Sequence, residues 1–266
     1  SSGLTRAIMA KKTVLISGAA SGIGRSIAEA FIAEGAQIHI CDTSAGAIAE
    51  FLEANPNTSA TLADVSNSGD VDKVFTEFEE RYGQLNILIN NAGISGPSAA
   101  VEDVATEDWD HCIAVNLSGA FYMTNRAVPL LKQAGGGSII NMSSSAGLFG
   151  TPLRSPYAAS KWGLIGLTKT WAMELGPHNI RVNAVCPGCV SGPRIDGVIE
   201  RDAEERGVSP EEIRDVYERQ SSMRTFVLPE EISDTVLFLA SEKAGKVSGQ
   251  AMSVDGHTET LANWLD

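Results

Sequence analysis

Tyr157 and Lys161 lie four residues apart in the segment YAASK, a spacing that places a phenol and an ammonium group on one face of a helix. About one helical turn of 5.4 Å separates two such positions. A nearby cation lowers the pKa of a tyrosine from its ordinary value of about 10. A lowered pKa is what a phenol needs in order to exchange protons with an alcohol or carbonyl substrate. The pair alone is more typical of an ordinary surface helix, so a catalytic interpretation depends on its surroundings.

A cluster of serines precedes this pair along the chain. The segment NMSSS ends a predicted strand, and the carboxyl ends of parallel strands are where open sheets bind ligands. Ser144, thirteen residues before Tyr157, could donate a hydrogen bond to a developing alkoxide. A turn-forming serine cluster is the alternative interpretation.

A glycine-rich turn, SGAASGIG, follows the first predicted strand and leads directly into a helix. Its glycines allow the backbone to approach a pyrophosphate, whose charge is stabilised by the amide groups at the helix N-terminus. The spacing is GxxxGxG, and a plain strand-to-helix turn is the alternative. The residues predicted to bind a cofactor here are Gly18, Ser21, Gly22, Ile23 and Gly24.

Asp42 ends the second predicted strand, 24 residues after Gly18. A carboxylate at this point can accept hydrogen bonds from the adenosine ribose and repels a 2′-phosphate. The next residue, Thr43, is neutral, and neither Ser21 nor the neighbours of Asp42 supply a basic side chain for that phosphate. The pattern therefore favours NAD over NADP, although Asp42 alone is also compatible with a turn or helix cap.

Two further segments end predicted strands on the same edge. Asp64 and Val65 end the third strand, where they could contact the adenine ring, or Asp64 could cap the next helix. Asn91, Ala92 and Gly93 follow the fourth strand within NNAG, where an amide side chain can hold the neighbouring strand.

The order and spacing of these segments closely resemble the short-chain dehydrogenase/reductase family over almost the whole chain. The matching pieces are SGAASGIG, Asp42, Asp64-Val65, NNAG, Asn116 within AVNLSGAF, NMSSS, YAASK and Pro187-Gly188. The resemblance implies a single-domain α/β fold, a doubly wound Rossmann-type parallel sheet of about seven strands with helices on both faces.

The resemblance also implies a catalytic tetrad of Asn116, Ser144, Tyr157 and Lys161. Ser144 would position the carbonyl or hydroxyl of the substrate, and Tyr157 would give or take the proton. Lys161 would also hydrogen-bond the nicotinamide ribose, so that Tyr157 and Lys161 belong to the cofactor site too. Asn116 would hold a water that relays protons to solvent.

The loop after Pro187-Gly188 departs from the family pattern. The family often carries a threonine here that contacts the carboxamide, whereas this chain has Cys189-Val190-Ser191, so Ser191 is the expected substitute and Val190 a further cofactor contact. Cys186 and Cys189 have CxxC spacing, which is compatible with a redox pair or half a zinc site. No second pair or nearby histidine completes such a site, and no metal is predicted.

The elements that position these residues alternate along the chain, as in a parallel sheet covered by helices. The predicted strands are 13–17, 37–41, 59–63, 85–90, 137–142, 180–185 and 251–254. The predicted helices are 22–34, 44–54, 69–81, 107–132, 157–175 and 229–240. Residues 1–10 are expected to form a tail, and Ser1-Ser2-Gly3 within it is expected to be a cloning remnant. Residues 11–266 are expected to form the catalytic domain. Within it, residues 191–225 are expected to form a surface helical pair that acts as a substrate lid.

Substrate and assembly are less determined by sequence. Arg154 and Arg194 flank the reactive segment and the Pro-Gly loop, and either could bind a carboxylate, sulfonate or phosphate; a surface arginine or intersubunit ion pair is the alternative. Phe121, Trp162 and Trp171 lie on helices that family members pair between subunits, so a homotetramer is expected, although buried faces explain them equally well. Residues 261–266 could dock at a subunit interface or fray.

Composition limits the function classes. A net charge of −13 disfavours nucleic acid and anionic membranes as partners, and no signal peptide or membrane-spanning run is recognised. Four sparse cysteines indicate a reducing, cytoplasmic setting. We expect an NAD-dependent oxidoreductase that interconverts a secondary alcohol and a ketone on a sugar, polyol or hydroxy acid. The alternatives are a 3-oxoacyl thioester reductase and, in another class, a catalytically inactive cofactor-sensing protein.

Overall fold

Seven parallel strands form one sheet in a computed structural model that describes residues 9–263 and 265. The strands are β1 Thr13–Ser17, β2 Gln37–Asp42, β3 Ser59–Leu62, β4 Ile87–Asn90, β5 Gly137–Met142, β6 Ile180–Pro187 and β7 Ala251–Val254. They are arranged in the order β3-β2-β1-β4-β5-β6-β7. The order reverses between β1 and β4, the switch point at which sheets of this kind bind their ligands.

Nine α-helices connect and flank the strands within the described residues. They are α1 Gly22–Ala33, α2 Ala45–Ala54, α3 Ser68–Tyr82, α4 Thr106–Ile113, α5 Gly119–Gln133, α6 Ser155–Leu175, α7 Pro193–Arg206, α8 Pro210–Glu218 and α9 Pro229–Ala240. A π turn at Ala114–Ser118 joins α4 to α5. No helix in the part of the chain that the structure describes is long and apolar enough to cross a membrane.

The helices cover both faces of the sheet. Along β1, Val14 and Ile16 pack against a core formed with α1, α2 and α9, whereas Leu15 packs on the opposite face with α3, α5 and α6. All three side chains are fully buried, which is why the strand reads as a continuous apolar run rather than an alternating one. The predicted doubly wound α/β sheet of seven strands is confirmed.

Several predicted elements differ in their bounds from the structure, and three of the differences have an identifiable cause. The single helix expected over 107–132 is interrupted by the π turn. The interruption was not predicted because apolar residues keep a helical spacing on both sides of it. The fourth strand begins at Ile87 rather than residue 85, since the side chain of Asn86 accepts a hydrogen bond from the Thr13 backbone (3.0 Å). The sixth strand continues to Pro187 because it pairs with β7 there.

Two further expectations concern the N-terminal segment and the helical pair within 191–225. Met9, which was expected to belong to the tail at 1–10, is buried in the core. Residues 1–8, including the expected remnant at 1–3, lie outside the described residues. Helices α7 and α8 form the expected surface pair, closed by a small apolar cluster of Ile199, Ala203, Ile213 and Phe226.

The described part of the C-terminal segment packs on this helical pair. The Asn263 carbonyl accepts a hydrogen bond from Arg206 Nη1 (2.6 Å), whereas Trp264 and Asp266 lie outside the described residues. Of the three aromatic residues expected at subunit contacts, Phe121 and Trp162 are about half exposed, and Trp171 is buried in the core of its own chain.

Candidate active site

The glycine turn packs tightly against the segment that follows β4. Ser17 Oγ accepts hydrogen bonds from the backbone amides of Asn91 (3.1 Å) and Ala92 (3.0 Å), and Asn91 Nδ2 donates to the Gly18 carbonyl (2.9 Å). A Cβ at Gly24 would lie 2.3 Å from the Gly18 carbonyl oxygen, which no side chain can tolerate. The two predicted cofactor segments are therefore brought together as one unit.

The N-terminus of α1 faces open space. Ser21 is its N-cap, and no side chain of the described residues caps the helix there. Gly22 has a φ of +59°, and a Cβ on it would meet no atom within 4 Å. Ile23, the next residue, packs against the core. The first amide groups of the helix are thus available to an anion, and the helix dipole favours one.

Asp42 lies beside this turn at the end of β2. Its Oδ2 accepts a hydrogen bond from the Ala20 amide (3.1 Å), and Oδ1 accepts one from the Ser44 amide (3.0 Å). The carboxylate is therefore held in place at the edge of the glycine turn. This is the position at which it can meet the ribose of an adenine nucleotide.

Asp64 and Val65 follow β3 on the same edge. Asp64 Oδ1 accepts hydrogen bonds from the backbone amide (2.9 Å) and hydroxyl (2.7 Å) of Ser66. The cap of α3 is Asn67, whose side chain accepts from the Asp70 amide, so the alternative in which Asp64 caps this helix is wrong. Val65 is buried against α5, at the start of that helix.

A buried polar ladder locks β4 to β5. Asn90 Nδ2 donates to Asn141 Oδ1 (2.9 Å) and to Thr124 Oγ1 (3.0 Å), and Asn141 Nδ2 donates to Thr168 Oγ1 (2.9 Å). The amide side chain of Asn90, the last residue of β4, thus holds the neighbouring strand. Since Thr124 and Thr168 lie on α5 and α6, the ladder also fixes these helices relative to the sheet.

Tyr157 and Lys161 occupy the first two turns of α6. Lys161 Nζ lies 5.5 Å from the centre of the Tyr157 ring and donates a hydrogen bond to the Met142 carbonyl (3.0 Å). The backbone carbonyl of Lys161 accepts a hydrogen bond from Ser143 Oγ (2.8 Å). Lysine and tyrosine are therefore held against the carboxyl end of β5, next to Gly93.

The surroundings of Tyr157 favour its ionised form. Burial by itself raises the pKa of Tyr157, but the positive charge of Lys161 and a hydrogen bond with Ser144 oppose that effect. The charges of Arg194 and Arg154 act in the same direction, and the net result is a lowered pKa. Ser144 is in turn oriented by a hydrogen bond that it accepts from the Ala146 amide (3.1 Å).

Asn116 lies in the middle of the π turn and is buried. Its Oδ1 accepts from the Ile94 amide (2.7 Å), and its Nδ2 donates to the Ile94 carbonyl (2.9 Å) and to Ser160 Oγ (3.2 Å). The side chain therefore joins the loop after β4 to α6. Gly93, in the same loop, lies close to both Asn116 Oδ1 and Lys161 Nζ.

The loop after β6 is anchored on both sides. The Gly188 amide donates to the Val254 carbonyl (3.0 Å), and the Ser191 amide donates to the Val227 carbonyl (2.8 Å). Val190 pairs with Val227 and packs against the core. Pro187 and the residues after it thus border the same edge of the sheet as Ser145, whose hydroxyl bonds to the Pro187 carbonyl (3.2 Å).

The two cysteines with CxxC spacing have no redox or metal partner in the described residues. Cys186 and Cys189 are free thiols, and burial raises the pKa of each to about 11. A thiolate is therefore disfavoured at both positions. Among the residues that the structure describes, no group of three or more His, Cys, Asp or Glu side chains could hold a metal ion.

The two arginines predicted for the substrate site converge on Ser95. Arg154 Nη2 donates to the Ser95 carbonyl (2.9 Å), and Arg194 Nη2 donates to Ser95 Oγ. The Arg154 guanidinium also stacks on the Tyr157 ring, with 4.5 Å between Cζ and the ring centre. Both charges therefore lie beside the reactive segment.

Sequence reasoning missed the residues that join these pieces. Ser95, Ile94 and Ser160 connect the arginines and Asn116 to the loop after β4 and to α6. Ser160 stands inside YAASK and could have been suspected from that motif. Ile94 takes part through backbone atoms alone and Ser95 partly so, and a sequence carries no signal for such contacts.

Known proteins resemble this chain along nearly its full length. Residues 18–257 match a family model described as enoyl-(acyl carrier protein) reductase. Trans-4-hydroxycyclohexanecarboxylate dehydrogenase of Sinomonas cyclohexanicum is 41% identical over 97% of this chain and 96% of its own length. The 3-oxoacyl-(acyl-carrier-protein) reductase FabG of Thermotoga maritima and D-beta-hydroxybutyrate dehydrogenase of Cupriavidus necator are each 37% identical over 92% of this chain and 96% of their own.

Solved structures also resemble this chain over most of its length. NAD+-bound xylitol dehydrogenase has a TM-score of 0.87 at 28% identity, covering 93% of this chain and 99% of its own. A variant of actinorhodin polyketide ketoreductase with NADPH has a TM-score of 0.88 at 32% identity, covering 96% and 98%. Fold, site and relatives define an oxidoreductase of the class that uses a nicotinamide cofactor. The chain belongs to the short-chain dehydrogenase/reductase family.

Proposed function

We propose that this oxidoreductase interconverts a secondary alcohol and a ketone, with Tyr157 as the proton-transferring residue and NAD as the cofactor. The observation that carries the proposal is the environment of Tyr157, whose pKa is lowered by Lys161 and by a hydrogen bond with Ser144. A phenol with a lowered pKa can exchange protons with a substrate oxygen near neutral pH. Two of the relatives are named as dehydrogenases of hydroxy acids, which agrees with this reaction.

The residues around the glycine turn fit a dinucleotide. The uncapped N-terminus of α1 and the open space at Gly22 suit the pyrophosphate, and Asp42 suits the adenosine ribose. When bound, the nicotinamide supplies the carbon that accepts or gives the hydride. Further residues proposed to line this site are Gly18, Ile23, Asp64, Val65, Asn91, Ala92, Gly93, Pro187, Gly188, Val190 and Ser191.

The preference for NAD over NADP rests on Asp42. One of the two solved relatives is named with NAD+ and the other with NADPH, so the choice depends on the residues of this chain. The Asp42 carboxylate is fixed at the edge of the glycine turn by the amides of Ala20 and Ser44. A 2′-phosphate placed there would meet a negative charge at close range.

The tetrad divides the proton chemistry among its members. In the oxidative direction the Tyr157 phenolate takes the proton of the substrate hydroxyl, and the Lys161 charge stabilises that phenolate. Ser144 donates a hydrogen bond to the substrate oxygen. The side-chain amide of Asn116 is engaged at both atoms by Ile94 and Ser160, which favours a positioning role for Asn116 over a side chain that holds water.

The assembly and setting of the enzyme follow the same proposal. Exposed Phe121 and Trp162 on α5 and α6 suit subunit contacts in a homotetramer. Free cysteines agree with a reducing cytoplasm. The helical pair α7 and α8, within 191–225, is proposed to cover the substrate, because Arg194 at its start reaches the Ser95 loop.

Two assays test this function. Wild-type enzyme is screened with alcohols, sugars, polyols and hydroxy acids against NAD and NADP by the nicotinamide absorbance change. A 3-oxoacyl thioester is included because the Thermotoga maritima relative is named as a reductase of that substrate. Tyr157→Phe is expected to lose about 10²- to 10⁴-fold in kcat while NADH binding, measured by fluorescence, persists.

Tyr122→Phe is the matched control, because it removes a phenol hydroxyl from α5 for which the described residues offer no hydrogen bond. It should leave turnover unchanged. Retained turnover in Tyr157→Phe would refute the proposed mechanism, and turnover of the thioester alone would favour the second candidate, a 3-oxoacyl thioester reductase.

A further inference from the structure

Two arginines from different elements meet at one serine of the loop after β4. Arg154 is the residue that precedes α6, and Arg194 is the second residue of α7. Arg154 donates to the backbone carbonyl of Ser95 and Arg194 to its hydroxyl, so both guanidinium groups lie within hydrogen-bond reach of the same residue. Two cations this close repel each other unless an anion lies between or beside them.

Neither cation is neutralised by a carboxylate of the described residues. Within residues 9–263 and 265, no carboxylate forms an ion pair with Arg154 or Arg194. By contrast, Arg206 and Arg214 of the same helical pair each have an aspartate partner. A chain with a net charge of −13 has carboxylates in excess, yet none of the described ones pairs with either of the two arginines that meet at Ser95.

Most of their hydrogen-bonding capacity is unused. A guanidinium carries five N–H donors, and in the described structure each of these two arginines donates from a single nitrogen, Nη2. A purely structural clamp on Ser95 accounts for those two contacts. It leaves Nε and Nη1 of both side chains without an acceptor, in the planar arrangement that matches the oxygens of an acid group.

Both groups lie at the reacting end of the site. The Arg154 guanidinium is stacked 4.5 Å from the centre of the Tyr157 ring, and the charge of Arg194 acts on the same phenol. Since the substrate oxygen must reach the Tyr157 hydroxyl, a group a few bonds away from the reacting carbon falls within range of these arginines.

We propose that Arg154 and Arg194 together bind an acid group, a carboxylate or a sulfonate, carried by the alcohol or ketone, so that the natural substrates are hydroxy acids and oxo acids. The inference rests on the proposed alcohol–ketone function and narrows its substrate class. The acid group completes the charge balance at Ser95 and orients the reacting carbon toward Tyr157. Neutral sugars and polyols lack the group that the two guanidiniums recognise.

The test compares matched substrates. Turnover of 3-hydroxybutyrate and 4-hydroxycyclohexanecarboxylate is measured against the corresponding primary amides and against 2-hydroxypropanesulfonate, with the ratio of kcat/KM for acid over amide as the readout. Wild type is expected to favour acids by about 10- to 100-fold, the range expected for hydrogen bonds to a charged group. Turnover of the sulfonate shows whether the two arginines accept a sulfonate as well as a carboxylate.

Variants assign the preference to the arginines. Arg154→Gln and Arg194→Gln should each lower the acid-over-amide ratio about tenfold or more, and lysine at either position should restore part of it by keeping the charge. Because Arg154 also touches Tyr157, absolute rates change for both substrates, and only the ratio isolates recognition. Arg201→Gln is the matched control, an exposed arginine two turns further along α7, and should leave the ratio unchanged.

The outcomes separate this inference from the function on which it rests. If amides are turned over as efficiently as acids, or both glutamine variants keep the wild-type ratio, the acid site is refuted while the dehydrogenase function stands. If no substrate is turned over, binding of the oxo acids and oxo amides to the enzyme with NADH is measured by calorimetry. If the oxo acids bind and the glutamine variants lose that binding, the acid site is supported and the proposed reaction is refuted. If oxo acids and oxo amides bind equally, both the acid site and the proposed reaction are refuted.

Discussion

Acidification from pH 7.5 to pH 5 is expected to weaken this fold through one buried histidine of β2. His39 is almost fully buried, with Nδ1 hydrogen-bonded to Ser59 Oγ (2.6 Å) and Nε2 to Thr61 Oγ1 (2.9 Å). Burial lowers the pKa of His39 from 6.5 to about 4, against an opposing effect of the Glu77 charge. The histidine is therefore neutral in the folded chain at pH 5, whereas it is protonated in the unfolded chain.

The sign and size of the effect follow from proton linkage. Between pH 6.5 and pH 4 the unfolded state binds more protons at His39 than the folded state, so the free energy of unfolding falls as the pH falls. A pKa difference from 6.5 to about 4 corresponds to a loss of about 2 kcal/mol between pH 7.5 and pH 5. The destabilised region holds β2, the strand that carries Asp42.

Urea unfolding of wild type and His39→Asn at both pH values measures this contribution. The asparagine variant keeps polar atoms in the site but does not titrate, so its free energy of unfolding should fall by about 2 kcal/mol less than that of wild type over the same interval. The other three histidines and the carboxylates titrate in both proteins and cancel in the comparison. Parallel losses in the two proteins would refute the assignment to His39.

Two further predictions concern the reaction itself. Lys161→Met removes the positive charge that lowers the pKa of Tyr157 most, so the pKa of that phenol rises. In the oxidative direction kcat/KM increases with pH as the phenolate forms, so the increase should move to more alkaline pH; an unmoved pH–rate profile would contradict the proposed pairing. Asp42→Ser removes the charge that opposes a 2′-phosphate, so the ratio of kcat/KM for NADP over NAD should increase about tenfold or more. The control is Glu53→Gln on the exposed side of α2, which should leave this ratio unchanged.

The fold was largely readable from the sequence because both faces of the sheet are covered. Buried parallel strands such as β1 and β4 appear as short apolar runs between amphipathic helices, and that rhythm specifies the doubly wound class. Strand ends were less predictable. The fourth strand begins at Ile87 because the backbone amide of Thr13 donates to the side-chain oxygen of Asn86 instead of to a backbone carbonyl. This is a tertiary contact that no local sequence pattern predicts.

The site was predictable where a motif has one structural solution. The glycine spacing from Gly18 to Gly24 is dictated by a contact that excludes any Cβ, and the spacing of Tyr157 and Lys161 by the helical repeat. The meeting of Arg154 and Arg194 at Ser95 was not predictable as a pair. The two arginines are 40 residues apart in sequence and reach that serine from different helices, so their convergence exists only in the folded chain.

The π turn at Ala114–Ser118 sets a limit on how this chain can vary in length. Deleting one residue there would restore the ordinary helical repeat and swing α5 by about 100° relative to α4. Either Asn116 would then leave Ile94, or the core side chains of α5 would leave the sheet. The residue count between α4 and α5 is therefore fixed by the contacts of Asn116 with Ile94 and of the α5 side chains with the core.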